Sequence, residues 1–124
     1  MRFLVMIKSE ENKFGPPPPA LMQAIGTMGQ EATQAGVLVE TGGLLGSDRG
    51  ASLQLRGGKI TVTDGPFTET KEIIGGYAVY ELSSREEAIE WSRRFLHIHE
   101  LHWPGWEGEV EIREIMTFAP PSGG

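Results

Sequence analysis

Three histidines lie within six residues of one another in the second half of the sequence, at His97, His99 and His102. If this segment continues a helix, His99 and His102 share one face and His97 points away from it. Imidazoles at this spacing can act as an acid/base group, contact a substrate or share a metal ion. They can also be polar residues at a helix end that hydrogen-bond its last carbonyl groups. Two ligands are too few for a firm metal site, which Glu100 or Asp64 would have to complete. We therefore predict no metal and take His99 and His102 as catalytic candidates, with a metal-dependent activity at the histidines as a further alternative.

Asp64 is one of only two aspartates in the chain and stands at the end of a predicted strand, just before Gly65-Pro66. Its alternation with Ile60 and Val62 predicts that the carboxylate lies on the apolar side of that strand. There it can line a cleft and act as a general base. Alternatively, it can cap the turn by accepting hydrogen bonds from local backbone N–H groups.

Three further residues are candidates for contacts with a substrate. Tyr77 and the backbone N–H groups near Gly75-Gly76 can donate hydrogen bonds. Trp103 and Trp106 flank a Pro-Gly pair, where indoles either line an apolar pocket or clamp the loop. Lys71 lies among glutamates, and it either contacts a polar substrate or belongs to a solvated charge cluster.

The composition restricts the classes of function. The chain has 124 residues, enough for one domain, and its lack of cysteine excludes disulfides, thiolate metal sites and a cysteine nucleophile. The net charge is −6 with scattered Lys and Arg, so the electrostatic footprint of a nucleic-acid-binding protein is missing. The first apolar run ends at Lys8, too early for a signal peptide or membrane span. We therefore expect a cytoplasmic protein with no membrane or nucleic-acid partner, and no phosphate-loop or dinucleotide motif indicates a cofactor.

The periodicity of apolar residues predicts two helices and six strands. Residues 20–35, and a segment that begins at Ser83 or Ser84 and runs toward Glu100, have helical spacing. Strands are predicted at residues 2–8, 37–45, 52–56, 59–63, 73–82 and 109–113, the last continuing to residue 118. This order is typical of an α+β fold, a ferredoxin-like split βαβ sandwich with an inserted hairpin. We predict a single domain over residues 1–119 and a disordered tail at residues 120–124.

Glycines mark two predicted features of these elements. Gly57-Gly58 separates two alternating segments and predicts a tight hairpin. Its register places apolar residues of the two strands opposite each other, Leu53 with Val62 and Leu55 with Ile60. Gly26 and Gly29 lie inside the first helix, and we expect them to allow its close approach to the sheet.

The first strand is apolar on both faces, with Phe3, Val5 and Ile7 on one side and Leu4 and Met6 on the other. A strand of this kind is covered on both sides. Because two helices cover only one face of the sheet, a second copy of the chain is needed for the other face. We therefore predict a homodimer packed sheet to sheet.

A motif at residues 63–72, Thr-Asp-Gly-Pro-Phe-Thr-Glu-Thr-Lys-Glu, followed by Gly75-Gly76-Tyr77, resembles the DGPF-domain branch of the YCII-related proteins. The resemblance extends over nearly the whole chain. It implies a dimeric ferredoxin-like α+β barrel, in agreement with the order of elements. Some members of this branch are encoded beside extracytoplasmic-function sigma factors, which implies a sigma factor as a candidate partner.

The same resemblance bears on the catalytic candidates. YCII-related proteins more broadly carry a histidine near the start of the first helix and an Asp-Pro after the second, proposed as an acid/base pair. This sequence has prolines at residues 16–19 in the first place and its histidines in the second. A His–Asp pair would therefore have to be rebuilt here from Asp64 and either His99 or His102.

These observations favour a protein that binds a small organic molecule in a cleft and catalyses a cofactor-free acid/base reaction of the isomerase or lyase type. Asp64 or one of the two histidines is the expected base. The alternative is a regulatory or sensing dimer without catalysis, linked to a sigma factor.

Overall fold

The structure, a computed structural model, describes residues 1–66 and 72–117. The strands are β1 (Arg2–Ser9), β2 (Leu38–Gly43), β3 (Ala51–Arg56), β4 (Lys59–Asp64), β5 (Ile73–Glu81) and β6 (Glu109–Glu114), and the helices are α1 (Pro19–Gln34) and α2 (Arg85–His102). A short 3-10 turn at Ser47–Arg49 precedes β3. Lys71 and the predicted tail at residues 120–124 lie outside the described residues.

Four strands form the main sheet in the order β2-β5-β1-β6, and every neighbouring pair is antiparallel. The remaining strands, β3 and β4, form a separate two-stranded hairpin inserted between β2 and β5. This is the predicted ferredoxin-like α+β arrangement, and the inserted hairpin is confirmed. The dimeric barrel concerns two chains and stays a prediction.

One face of the main sheet is covered by both helices, and we call it the inner face. Phe3 and Val5 of β1 are buried there, directly opposite Tyr80 and Ala78 of β5. The helices complete this core with small buried residues, Ala32 of α1 and Ala88 of α2. Burial of these apolar side chains is the main force that holds the helices on the sheet.

Helix α1 begins and ends at residues suited to those positions. Pro18 is its extended N-cap and Pro19 its first residue, where a missing N–H costs no intrahelical bond. It stops before Gly36, whose φ of +73° is the left-handed conformation that glycine adopts most readily. The expectation for Gly26 and Gly29 is wrong, because outside the adjoining backbone of α1 no described heavy atom lies within 4 Å of where a Cβ would stand at either position.

Helix α2 begins with the predicted capping interaction, and Ser84 is the residue that makes it. Its side chain accepts a hydrogen bond of 3.2 Å from the backbone N–H of Glu87. The helix runs to His102, slightly beyond the predicted end. After it, β6 ends at Glu114, so the predicted continuation fails at least for residues 115–117.

The hairpin has the predicted register. Leu53 pairs with Val62 and Leu55 with Ile60 across a turn in which Gly57 and Gly58 have φ values of +56° and +76°. At its base, the Glu11 carboxylate accepts hydrogen bonds from the backbone N–H and the hydroxyl of Ser47, at 2.7 and 2.6 Å.

Candidate functional site

A cavity of about 620 Å³ lies between the inner face of the sheet and the two helices. The sheet contributes Val5, Ile7, Ala78, Tyr80 and Val110 to its lining, and the helices contribute Leu21, Met28, Trp91, Ser92, Phe95 and His99. Trp103 and Trp106 also line it, so all three tryptophans of the chain face one cavity. Among the described residues that line it there is no Asp, Glu, Lys or Arg. The cavity therefore suits an uncharged molecule rather than an anion or a cation.

His99 is the buried imidazole of this lining, with 4% of its surface exposed. Its Nδ1 lies 2.9 Å from the carbonyl oxygen of Phe95, one turn earlier in α2. A carbonyl only accepts, so Nδ1 carries the hydrogen and Nε2 keeps its lone pair in the neutral ring. Burial lowers the pKa of His99, while the Phe95 carbonyl partly opposes this shift. The ring is therefore neutral near pH 7, with Nε2 as the basic atom.

Aromatic rings surround His99 on the side of the Pro-Gly turn. The ring centroid of His99 lies 4.6 Å from Trp106 and 6.5 Å from Trp103, and the two indoles stack at 6.0 Å. Phe14, from the segment before α1, reaches the same cluster at 6.5 Å from Trp103 and 6.3 Å from Trp106. Both alternatives for the tryptophans hold, because the indoles line the cavity and also clamp the loop after α2.

Tyr80 and Ser92 contribute hydroxyl groups to the lining. Tyr80 is buried and stacks on Trp91 with a centroid distance of 5.8 Å. Burial raises the pKa of Tyr80, so its hydroxyl stays protonated and can donate a hydrogen bond. Ser92 is 6% exposed, and its Oγ has no hydrogen-bond partner within the described residues.

Small residues keep part of the cavity wall open. Gly29 lines the cavity, and a Cβ there would meet no atom within 4 Å. Gly75 is the extra residue where the pairing of β5 with β1 shifts, and Gly76 is so close to β2 that a Cβ would lie 3.1 Å from the Gly42 carbonyl oxygen. Because these two glycines have no side chain, the backbone of β5 itself lines the cavity at their positions.

Comparison with known proteins agrees with the fold. The family model for the YCII-related domain matches residues 1–119 of the 124. The chain belongs to this family. An uncharacterised protein of Rhizobium meliloti (strain 1021) is 27% identical to it over 100 residues, which cover 81% of this chain and 77% of the relative. The narrower assignment to the DGPF-domain branch stays a prediction.

Within this YCII-related domain, the predicted site residues do not all meet. His99, Trp103 and Tyr77 line the cavity together. His102 is the half-buried last residue of α2 and is absent from the lining, whereas His97 is exposed and lies 3.2 Å from the Glu100 carboxylate. The structure thus separates the histidines into one inside the cavity and two outside it.

Asp64 is the exposed last residue of β4, paired with Ala51 across the hairpin. It does not line the cavity of His99. Its carboxylate makes no hydrogen bond to any other part of the described chain, and the base of the hairpin is closed instead by a backbone bond from Gly65 to Gly50. A single YCII-related chain therefore does not bring Asp64 and His99 to one cavity.

Tyr77 of β5 also lines the cavity, together with its cross-strand neighbour Gly42 of β2. Its ring lies close to β2, because a Cβ at Gly42 would stand 3.0 Å from a ring carbon of Tyr77. The neighbouring Glu40 carboxylate raises the pKa of Tyr77. The described lining of the cavity therefore includes two tyrosines of β5, Tyr77 and Tyr80.

The residues that α2 contributes to this site could have been identified from their helical spacing in the sequence. Ala88, Ser92, Phe95 and His99 recur on one stripe of α2, so the stripe that reads as core also carries the buried imidazole. Phe14 gave no such signal, because it is one aromatic residue in a polar segment. Within residues 1–66 and 72–117 no group of three or more His, Asp or Glu side chains could hold a metal ion, and neither helix is long and apolar enough to cross a membrane.

Proposed function

We propose that this YCII-related domain binds an uncharged, aromatic small molecule in the cavity and that His99 transfers a proton to and from it without a cofactor. One observation carries the proposal. Among the described residues that line the cavity, His99 has the only side chain whose ordinary pKa lies near neutral pH. A group that titrates in this range can both accept a proton from the ligand and donate it back.

The size and lining of the cavity support the class of ligand. A volume of about 620 Å³ lies in the range of 300–1,000 Å³ typical of small-molecule sites. Trp91, Trp103 and Trp106 offer flat faces for stacking, and no charged side chain of the described lining would pair with an ionised ligand. An aromatic ligand with one or two polar atoms matches this environment.

The fixed tautomer of His99 supports the acid/base role. With Nδ1–H held by the Phe95 carbonyl, Nε2 can take a proton from a carbon of the ligand. The imidazolium that results is costly in a buried apolar site, so the proton returns readily to a different atom of the ligand. Tyr80, a neutral hydroxyl donor, can hydrogen-bond the oxygen on which negative charge develops. The net change is an isomerisation, or an elimination when a leaving group departs and takes the proton from the imidazolium.

Binding and proton transfer can be tested separately. Naphthol and naphthoate share a ring system and differ in charge, and the three cavity tryptophans report binding by their fluorescence. We expect saturable binding of naphthol and at least about tenfold weaker binding of naphthoate. Equal affinity for the two would contradict the predicted ligand class.

For proton transfer, β-tetralone is a suitable probe because it is an uncharged aromatic ketone with acidic C–H bonds. In heavy water, NMR would show faster loss of these hydrogens with the wild-type chain than with His99→Gln, while His99→Gln still binds naphthol. The matched control is His97→Gln, which changes an exposed histidine of the same helix and should leave the exchange unchanged.

The lack of a cationic side chain in the described lining favours a second candidate, ligand sensing without turnover. An anion formed during catalysis would find only neutral donors there. If naphthol binds but β-tetralone exchanges no faster than in buffer, the sensing function is favoured. A regulatory partner, such as the sigma factor implied by the family resemblance, would then respond to the bound ligand.

A further inference from the structure

Ser92 lies where the buried stripe of α2 reaches the cavity. The residue is 6% exposed, and its Oγ has no hydrogen-bond partner within residues 1–66 and 72–117. Ala88, one turn earlier on the same stripe, is buried and does not line the cavity. Both positions therefore carry a small side chain, but only the position at the cavity carries a hydroxyl.

The lack of a partner for this hydroxyl is unusual inside a helix. A serine or threonine hydroxyl there commonly donates a hydrogen bond to the carbonyl group four residues earlier. On α1, Thr27 donates to the Gln23 carbonyl at 3.1 Å and Thr33 to the Gly29 carbonyl at 2.8 Å. Ser92 makes no such bond to any residue that the structure describes. Because a buried polar group without a partner costs folding free energy, stability alone would favour alanine at this position.

The positions of Ser92 and His99 determine what shape of molecule could contact both. Seven positions along α2 separate them, close to two full turns, so they lie on one side of the helix about 10 Å apart along its axis. Phe95 lies between them on the same stripe, with its ring centroid 4.7 Å from that of His99. All three residues line the cavity. Along α2 the lining is therefore polar, then aromatic, then polar again.

The two polar side chains of this row differ in the groups that they can bind. Ser92 can both donate and accept a hydrogen bond. The free nitrogen of neutral His99, Nε2, only accepts, because Nδ1–H is held by the Phe95 carbonyl. A ligand that matches the row has an aromatic body, a donor or an acidic C–H bond at the His99 end, and a hydroxyl or carbonyl group at the Ser92 end.

We propose that Ser92 determines specificity by hydrogen-bonding the polar atom of the ligand that is remote from His99. Rotation about the Cα–Cβ bond moves the buried Oγ between staggered positions, so a ligand can draw it into this bond without a change in the backbone. The preferred ligand is then an uncharged aromatic molecule with polar atoms at both ends of its ring system. The inference rests on the proposed function, since it takes the cavity as the ligand site.

Isothermal titration calorimetry with naphthol and two naphthalenediols tests this assignment. In the opposite diol the two hydroxyls lie at the two far ends of the ring system, and in the adjacent diol they lie on neighbouring carbons at one end. We expect the wild-type chain to bind the opposite diol about fivefold more tightly than naphthol, and the adjacent diol no more tightly than naphthol. Equal affinity for the two isomers would overturn the proposal.

Ser92→Ala removes the hydroxyl and keeps the side chain small. It should abolish the preference for the opposite diol, while naphthol, whose single hydroxyl stays at the His99 end, binds within about twofold of the wild type. The matched control is Thr27→Ala, which removes an exposed helix hydroxyl outside the lining and should retain the preference. If the preference survives in Ser92→Ala, another group of the lining meets the far hydroxyl and the assignment of Ser92 is wrong.

Thermal unfolding without ligand gives a readout that a purely structural role of Ser92 would reverse. The melting temperature of Ser92→Ala should equal or exceed that of the wild type, because the variant lacks the unpaired hydroxyl. A clearly lower value would mean that the hydroxyl stabilises the fold, which contradicts the proposal. If naphthol binds but the opposite diol binds no better, only the assignment of Ser92 fails. If none of the three ligands binds to the wild-type chain, the proposed function fails together with it.

Discussion

The cavity and the hairpin are both built from apolar side chains at regular spacing, and they differ in what covers them. Around the cavity, residues from both helices and all four strands of the main sheet face one another and bury His99 among aromatic rings. On the hairpin, four aliphatic residues face outward with more than half of their surface exposed. The alternation of apolar and polar residues therefore shows which side chains share a face of a strand. Whether that face is buried depends on which other elements of the chain pack on it.

The largest expected difference between the two regions is in stability. Phe3→Ala removes a ring that is 2% exposed beneath the helices and should lower the free energy of unfolding by about 3–5 kcal/mol. Leu55→Ala on the hairpin should change it by less than about 0.5 kcal/mol. Urea unfolding at a concentration where the chain is monomeric measures both, and similar losses would mean that the hairpin belongs to the core of the single chain.

Next in size is the effect of the aromatic cluster on binding. Trp106→Ala removes the indole nearest to His99 and should weaken naphthol binding by at least about tenfold. Leu55→Ala, which is remote from the lining, serves as the control and should bind as the wild type does. Isothermal titration calorimetry is suitable because it does not depend on the removed fluorophore, and unchanged binding by Trp106→Ala would place the ligand elsewhere.

A smaller effect should appear in the pH dependence of stability. The pKa of His99 is lower in the folded chain than its unfolded value of about 6.5. Below that value the unfolded state binds the proton more readily, so the stability contributed by neutral His99 is lost as the pH falls from about 7 to 5.

Denaturation of His99→Gln and His97→Gln across this pH range tests the assignment. The first variant should show a flatter pH dependence than the wild type, and the second should follow the wild type because His97 is exposed. If His97→Gln is the variant that flattens the curve, the buried imidazole is not the group that titrates.

The smallest expected effect distinguishes the two tyrosines of the cavity lining. Tyr77→Phe removes a hydroxyl beside the Glu40 carboxylate and should weaken naphthol binding less than Tyr80→Phe does. Tyr80→Phe removes the hydroxyl at the cavity and should weaken binding by about 0.5–1.5 kcal/mol if the ligand accepts a hydrogen bond from it. The same titration measures both variants, and the reverse order of effects would place the polar atom of the ligand beside Tyr77.

The sequence predicts the elements well where local chemistry dominates. Pro19 and Gly36 at the ends of α1, Ser84 at the start of α2 and Gly57-Gly58 in the hairpin each act through their own backbone or side chain. The register of the hairpin follows from the length of its turn, so it could be predicted to the residue.

The candidate site was harder to predict because both faces of β1 and β5 are apolar. Alternation places Tyr77 with Val79 and Ala78 with Tyr80, but it does not show which pair the helices cover. Asp64 continues the apolar face of β4 as expected, yet that face belongs to the hairpin and not to the cavity. Gly29 likewise borders an open space instead of a close contact, which only the positions of the other elements reveal.

The segment between β1 and α1 connects the two regions mechanically. Glu11 holds the base of the hairpin through Ser47, and three residues later Phe14 packs on the tryptophans of the cavity. A ligand that displaces Phe14 would pull on the anchor of the hairpin, and a change at the anchor would shift Phe14. Such a link is reciprocal: if breaking the anchor changes the affinity for the ligand by some factor, the ligand changes the equilibrium of the anchor by the same factor.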